Sequence, residues 1–358
     1  MRERTMNIGI ALTLMLASPA IAQEPPTWSL AIHGGAGVIE RTDLTPDQDA
    51  AYRDGLNRAL EAGAAVLRDG GSALDAVQAA IEVMEDNPLF NAGRGAVFTA
   101  AGRNELDAAV MDGTDLNAGS VAGLTRTRHP IAAARAVMER SPHVMLAGEG
   151  ADAFAESAGL EQVNPSWFFT ERRWQGLERT LRERGDPIPP RPVDPVPTFI
   201  LPPGAMAEAA PPLNERKYGT VGAVARDGQG RLAAGTSTGG TSGKRWGRIG
   251  DAPVIGAGTY ASNADGCAVS ATGTGEYFIR STVARDICIR TRDGATAQAA
   301  AEAEIADVGG IGGDGGVIVM GLDGAVAFAM NTSGMYRGRV AADRPAAVAI
   351  YGDESLDE

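Results

Sequence analysis

Apolar residues share one helical face over 46–68, where Tyr52, Leu56, Leu60 and Leu67 form a stripe, and again after Ser72, where Leu74, Val77, Ile81 and Met84 do. Gly70-Gly71 separates the two helices and Ser72 is the N-cap of the second. The stretch 87–95 is too rich in glycine and asparagine for either regular element. Period-two alternation predicts a strand over 29–32 that ends in His33-Gly34-Gly35-Ala36-Gly37, and paired strands over 105–111 and 120–125 around Asp112-Gly113-Thr114-Asp115. Helices are expected from Pro130, from Ala147 and from Pro165, the last rich in arginine and glutamate and solvent-facing. Strands over 221–226 and 232–237 flank Asp227-Gly228-Gln229-Gly230, a hairpin that sets Thr220 opposite Ser237 or Thr238. A strand over 267–271 then leads through Thr272-Gly273-Thr274-Gly275-Glu276 into a helix to about 290, with Ile279, Val283 and Ile287 at four-residue spacing. A helix over 296–306, a glycine turn over 309–316, a strand over 317–320 and a hairpin at Asp323-Gly324 to a strand over 326–330 follow, and the pattern ends at 331–337.

Two stretches break this pattern. Arg2 and Arg4 precede an apolar run over 8–22 that closes in Ala20-Ile21-Ala22 before Gln23, which makes 1–22 a cleavable secretory signal too short to span a bilayer. The mature chain is expected to begin near Gln23, to be periplasmic or secreted, and to carry no membrane attachment. Residues 183–216 hold ten prolines and little apolar periodicity, the composition of a flexible, protease-accessible linker. The formal charge of −13 becomes −14 once Arg2, Glu3 and Arg4 leave with the signal, and no basic tract offsets it, which argues against a nucleic-acid partner. With only Cys267 and Cys288 present there is no disulfide framework; two free buried cysteines are expected, although export permits one bond.

Candidate chemistry gathers around the central hairpin. A threonine hydroxyl is a weak nucleophile in mid-chain, but a threonine that begins a chain carries its own amine as base, and that amine titrates near ~8 when unperturbed. Thr220 follows Gly219 at the end of the linker, so cleavage between them would create such a terminus; on these residues alone, an ordinary strand start is the simpler reading. Gly235-Thr236-Ser237-Thr238-Gly239-Gly240-Thr241 brings further hydroxyls beside it. In Gly247-Arg248-Ile249-Gly250-Asp251, a guanidinium fork for a carboxylate and an acceptor for an ammonium lie in one loop, the two ends of an amino acid. Glycines around Thr272-Gly273 let backbone N–H groups and a hydroxyl approach an oxyanion.

The motifs Gly-Thr-Val-Gly-Ala-Val, Gly-Thr-Ser-Thr-Gly-Gly, Gly-Arg-Ile-Gly-Asp-Ala-Pro and Ala-Thr-Gly-Thr-Gly-Glu, with Ile32-His33-Gly34-Gly35-Ala36-Gly37 and Asn87-Pro88-Leu89-Phe90-Asn91-Ala92-Gly93 upstream, resemble the plant-type L-asparaginase and isoaspartyl peptidase family. The resemblance runs over roughly 28–337 and omits the proline-rich insert. It implies an α/β fold of the N-terminal nucleophile hydrolase type, a four-layer αββα sandwich in which 23–358 is one catalytic domain, cut into 23–219 and 220–358. It implies Thr220 as nucleophile, Thr238 as its orienting partner, Thr272 and Gly273 as oxyanion donors, and Asn91 facing the nucleophile. Arg248 would hold the substrate carboxylate and Asp251 with Gly275 the ammonium, Gly273 also being counted among the substrate-binding residues. The substrates implied are asparagine and β-aspartyl dipeptides, without an organic cofactor. A sodium ion would rest on the backbone carbonyls of Met84, Glu85, Asn87, Phe90, Ala92 and Arg94, and two αβ heterodimers would pair.

Other readings compete with this one. Gly235-Thr236-Ser237-Thr238-Gly239 fits the nucleophile elbow of serine esterases, but a glycine loop follows instead of a helix, and His33, His129 and His143 all precede Ser237. Those histidines are poorly spaced for a metal and are read as structural. The run 239–245 misses the phosphate-loop spacing, and no lysine follows the glycines at 309–316. Glycosylasparaginase shares the Thr-Ser-Thr and Gly-Arg-Ile-Gly-Asp patterns, and a non-catalytic amino-acid binding protein would use Arg248 and Asp251 without any cleavage.

Overall fold

Thr45 caps the first helix by accepting from the Gln48 N–H, with Pro46 at its start, and Ser72 caps the second by accepting from Asp75. The computed structural model describes Met1, residues 28–192 and residues 219–356; nearly all of the expected signal segment and most of the expected proline-rich linker lie outside them. In chain order the elements are β1 (Ser29–Gly37), α1 (Pro46–Arg68), α2 (Ala73–Asp86), β2 (Leu106–Asp112), β3 (Ala118–Leu124), α3 (Pro130–Arg140), β4 (Met145–Ala147), α4 (Gly148–Ser157) and α5 (Glu171–Arg184). After the linker come β5 (Val221–Arg226), β6 (Leu232–Thr238), β7 (Thr259–Ser262), β8 (Cys267–Gly273), α6 (Gly275–Ser281), α7 (Val283–Arg292), α8 (Ala297–Gly310), β9 (Gly315–Gly321), β10 (Val326–Met330), β11 (Gly334–Ala341) and β12 (Arg344–Tyr351). No helix among the described residues is long and apolar enough to cross a membrane.

The strands form two sheets, in the orders β12-β11-β1-β5-β6-β2-β3-β4 and β10-β9-β8-β7. Helices α1, α2 and α3 cover one face of the larger sheet, α7 and α8 cover the outer face of the smaller, and the sheets pack on each other, giving the four layers of an αββα sandwich. Because both faces of the central strands are buried, alternate residues enter different cores. On β5, Val221, Ala223 and Ala225 meet the helices while Val224 enters the core between the sheets. On β6, Ala233 lies with the helices and Leu232 and Ala234 face the second sheet. Thr220, Thr236 and Thr238 are in phase with the inward set, and Ser237 with the helix-facing set.

Several expectations change in three dimensions. The helix assigned from Pro165 begins at Glu171, after a 3-10 turn over Pro165–Phe168. It is not simply solvent-facing, since Trp174, Leu177 and Leu181 are buried with Phe98, whose ring meets Trp174 edge-on at 5.3 Å. The helix expected to run to about 290 is broken at Thr282, whose φ of 50° ends α6 and starts α7. Gly309 and Gly310 belong to α8 and not to a turn. Strands β4, β7, β11 and β12 were not assigned from the sequence; β11 lies beside β1, and β12 completes that edge of the larger sheet. Cys267 and Cys288 are bonded, contrary to the expectation of two free thiols, joining β8 to α7 across a Cα separation of 5.4 Å. Closing that 21-residue separation contributes about 3 kcal/mol on chain-entropy grounds.

Candidate active site

The β5–β6 register pairs Val221 with Ser237, so Thr220 stands opposite Thr238. The two hydroxyls meet at 3.0 Å, Thr220 donating, and Thr238 Oγ also accepts the Gly240 N–H at 2.9 Å. That arrangement points the Thr220 proton away from its remaining lone pairs and fixes the direction in which they face. Ser237 turns to the other side, where it donates to Glu85 Oε1 at 2.6 Å. The Gly219–Thr220 peptide is intact, and its carbonyl accepts the Asn91 N–H at 3.0 Å. Asn91 is held rigidly, since its side chain accepts from Val97 N and donates to Gly240 O, and its own carbonyl accepts from Gly239 N. What Gly219 supplies is room: a Cβ there would stand 2.6 Å from Asn91 Cβ.

His33 is fully buried between the sheets, with Nδ1 3.1 Å from the Thr220 carbonyl and Nε2 2.9 Å from Ser270 Oγ. Burial pushes its pKa down to about 3, so the ring is neutral. The ring read as structural from the sequence thus touches the candidate nucleophile's own backbone. His129 pairs with Asp86 at 3.1 Å and His143 is exposed before β4, and neither belongs to this site.

Arg248, Asp251 and Gly275 converge. A Cβ at Gly275 would lie 2.8 Å from Asp251 Oδ1 and 2.9 Å from Arg248 Nη2, so a residue without a side chain is what lets both charges reach the same space. Asp251 is buried and its Oδ2 has no hydrogen-bond partner. Burial pushes its carboxyl up to about 7, against the pull of its own and Ala252's N–H and of the Arg248 guanidinium. Arg248 does not pair with Asp251; its fork closes on Glu276, with Nε–Oε1 at 2.9 Å and Nη2–Oε2 at 3.0 Å. Thr272 is fully buried and its Oγ1 has no partner, an orphan hydroxyl of the kind a transient charge would satisfy. It lies two residues beyond Ser270 on β8, on the face turned toward the nucleophile strand. Gly273 ends the same strand, packed so closely on Phe278 and the Asp314 carbonyl that no side chain fits.

Beneath Asn91, the loop assigned to a cation offers carbonyl oxygens. A Cβ at Gly93 would overlap the Glu85 carbonyl, and one at Gly95 would overlap those of Phe90 and Pro88. The carbonyls of Met84, Asn87 and Ala92 each accept one N–H, from Asn87, Phe90 and Gly95. A carbonyl-only donor set suits a hard cation, and among the described residues no cluster of three His, Cys, Asp or Glu side chains could hold a metal. The backbone carbonyls of Met84, Glu85, Asn87, Phe90, Ala92 and Arg94 are the oxygens that the sodium expectation names; the Arg94 guanidinium lies 4.4 Å from the Trp167 ring centroid.

A cavity of about 500 Å³ opens beside Gly219, lined by Asn91, Gly240, Thr241, Ser242, Thr274 and Glu276, and also by Tyr52, Tyr336, Arg172 and Arg184. Gly219 borders this cavity, and Thr220 lies behind it at 8 % exposure. Glu276 was quoted in a motif but given no role, and only the fold brings α5 to the rim. The position of Glu276 directly after Gly275 was the available signal.

The asparaginase family model matches residues 26–350. The chain is 46% identical over 311 residues to an isoaspartyl peptidase of Salmonella typhimurium, covering 86% of this chain and 93% of that protein. It is 46% identical to an isoaspartyl peptidase of Escherichia coli, covering 86% of this chain and 91% of that protein. A plant-type L-asparaginase of Pyrococcus furiosus is 41% identical over 309 residues, 86% of this chain and 94% of that protein.

Proposed function

The chain belongs to the asparaginase family, and from that premise we propose that it hydrolyses L-asparagine and β-aspartyl dipeptides after cutting itself before Thr220. The observation that carries this reading is the pair of contacts at one peptide bond: the Thr220 hydroxyl aligned on Thr238 at 3.0 Å, and the Gly219 carbonyl on the Asn91 N–H at 3.0 Å. In self-cleavage, Thr220 Oγ attacks the Gly219 carbonyl carbon and the oxygen's developing charge falls to Asn91 N–H. The proton given up by the hydroxyl goes to the amide nitrogen, the C–N bond breaks to leave the Thr220 α-amine, and water releases Gly219 from the ester. Departure of Gly219 then opens Thr220 to the cavity.

In turnover the new amine takes the hydroxyl proton, directly or through water, as Thr220 attacks the side-chain carbonyl of the aspartyl substrate. Thr238 orients the attack, Thr272 Oγ and Gly273 N–H receive the oxyanion, and ammonia or the leaving amino acid departs. Arg248 holds the α-carboxylate and Asp251 with Gly275 the α-ammonium. Water then frees aspartate. The cavity beyond Gly219 is larger than asparagine requires, which supports including dipeptides. An amino-acid binding protein would need neither the Thr220–Thr238 pair nor the buried Thr272 hydroxyl.

Around this core, a sodium ion on the carbonyls of the 84–94 loop would stiffen the chain that carries Asn91 without entering the chemistry. Export through the 1–22 signal accords with the Cys267–Cys288 bond, which persists in oxidising compartments. The mature protein is a pair of αβ heterodimers. Intact mass and N-terminal sequencing test the central claim: a fragment beginning at Thr220 is expected, and a single unbroken chain with full activity would overturn it.

Glu276 competes with the substrate carboxylate for the Arg248 fork. Its side chain is 57 % exposed, so the pair is worth little, about 0.2–1 kcal/mol. Glu276→Gln should therefore lower KM by up to about fivefold with kcat nearly unchanged. A KM equal to or above the wild-type value would remove Glu276 as a competitor.

A further inference from the structure

We propose that His33 is a positioning residue: the Thr220 carbonyl holds it as the Nδ1–H tautomer, buried hydroxyls serve its Nε2, and through the Nδ1 proton it fixes the Thr220 carbonyl and the reach of the Thr220 hydroxyl. The pairing of β1 with β5 ends at His33–Gly222, and β1 then bulges, so no strand neighbour on that side holds Thr220. The imidazole takes over where the ladder stops. A carbonyl only accepts, so Nδ1, 3.1 Å from Thr220 O, carries the ring proton. Nε2 of the neutral ring must then accept, and Ser270 Oγ at 2.9 Å gives it its only hydrogen. Ser270 is left to accept from Thr236 at 2.7 Å, and Thr236 to accept from Thr259 at 2.7 Å.

The opposite direction fails at the nucleophile. Thr236 has a second acceptor in Gly258 O at 3.1 Å and Thr259 one in Ala252 O at 3.0 Å, so the hydroxyls alone could turn around. Doing so requires a hydrogen on Nε2, which in a neutral ring sets a bare Nδ1 against the Thr220 carbonyl, lone pair to lone pair. Ser270, Thr236 and Thr259 are all fully buried, so solvent does not relieve that contact. A Cβ at Gly222 would overlap both Ser270 Oγ and His33 Nε2, so the space is sized for this ring and this hydroxyl. With Asn91 N–H on Gly219 O and His33 Nδ1–H on Thr220 O, the carbonyls on either side of the Thr220 α-carbon are held by separate donors.

This inference rests on Thr220 being the nucleophile, and its first test does not. Nitrogen-15 NMR of the labelled full-length protein should show His33 protonated at Nδ1 and bare at Nε2; the reverse tautomer overturns the proposal whatever Thr220 does. Asparagine can keep a donor at the Nδ1 position, and glutamine reaches instead to the Nε2 position. His33→Asn should self-cleave within about fivefold of the wild-type rate, and His33→Gln at least about tenfold more slowly than His33→Asn. Equal rates for the two, whether both fast or both lost, overturn the role. Thermal melts check that each variant folds, and should neither do so, Ser270→Ala carries the test. Removing the hydroxyl that serves Nε2 and steadies the ring should lower kcat about tenfold with KM unchanged, because Arg248 and Asp251 still hold the substrate. Wild-type kcat in Ser270→Ala, or a loss confined to KM, is the contrary result.

Discussion

Thr220→Ala is expected to remain a single chain and to lose turnover of both asparagine and β-aspartyl dipeptides by on the order of 10⁴ or more. Three losses coincide in this one substitution. The attacking oxygen is gone, the uncut bond yields no α-amine to act as base, and Gly219 stays between position 220 and the cavity. The fold should survive, because the β5–β6 register is carried from Val221–Ser237 onward and Thr238 keeps its bond from Gly240. Intact mass, a thermal melt and product assays on the same preparation separate these effects. Cleavage before position 220, or measurable hydrolysis by the uncut chain, would defeat the assignment. Thr220→Ser, which restores a hydroxyl, should regain both cleavage and activity at reduced rates.

Asp251→Asn should lower kcat/KM about 10²-fold and change its dependence on pH. The magnitude follows from removing one member of a buried, hydrogen-bonded charge pair, about 3 kcal/mol. The sign follows from the carboxyl being pushed up to about 7. Below that pH the free protein holds Asp251 neutral and cannot pair with the substrate's ammonium, so kcat/KM should rise as pH increases through about 7. Once bound, the ammonium favours the carboxylate, so kcat should depend less on acid than kcat/KM does. The asparagine variant cannot ionise, and the limb near 7 should vanish. If the acid limb is unchanged in that variant, it belongs to the Thr220 amine and not to Asp251.

The legible parts of the fold were those set by neighbours in sequence. The bounds of α1, the Ser72 cap, and the turn at Asp227–Gly230 depend on residues a few positions apart. The break at Thr282 was hidden because Ile279, Val283 and Ile287 keep a helical spacing across it. Strands β11 and β12 escaped because their arginines look solvent-bound, whereas Arg337 is buried and donates to the carbonyls of Met335, Tyr351 and Glu354. Periodicity carries no trace of such a partner. The Cys267–Cys288 bond was likewise undecided until β8 and α7 were placed side by side.

By itself, the sequence named the residues proposed to bear the chemistry and determined that Thr220 lies across from a hydroxyl, because a two-residue period and one tight turn fix a hairpin from within. It left open whether that hydroxyl belongs to Ser237 or Thr238. Only the observed β5–β6 register decided it, by pairing Val221 with Ser237 and so Thr220 with Thr238. The tertiary structure alone also brought His33 to the Thr220 carbonyl across 187 residues, gave Arg248 to Glu276, and left the hydroxyl of Thr272 without a partner. Contacts of that kind depend on how separate layers settle against each other, and no local rule of spacing encodes them.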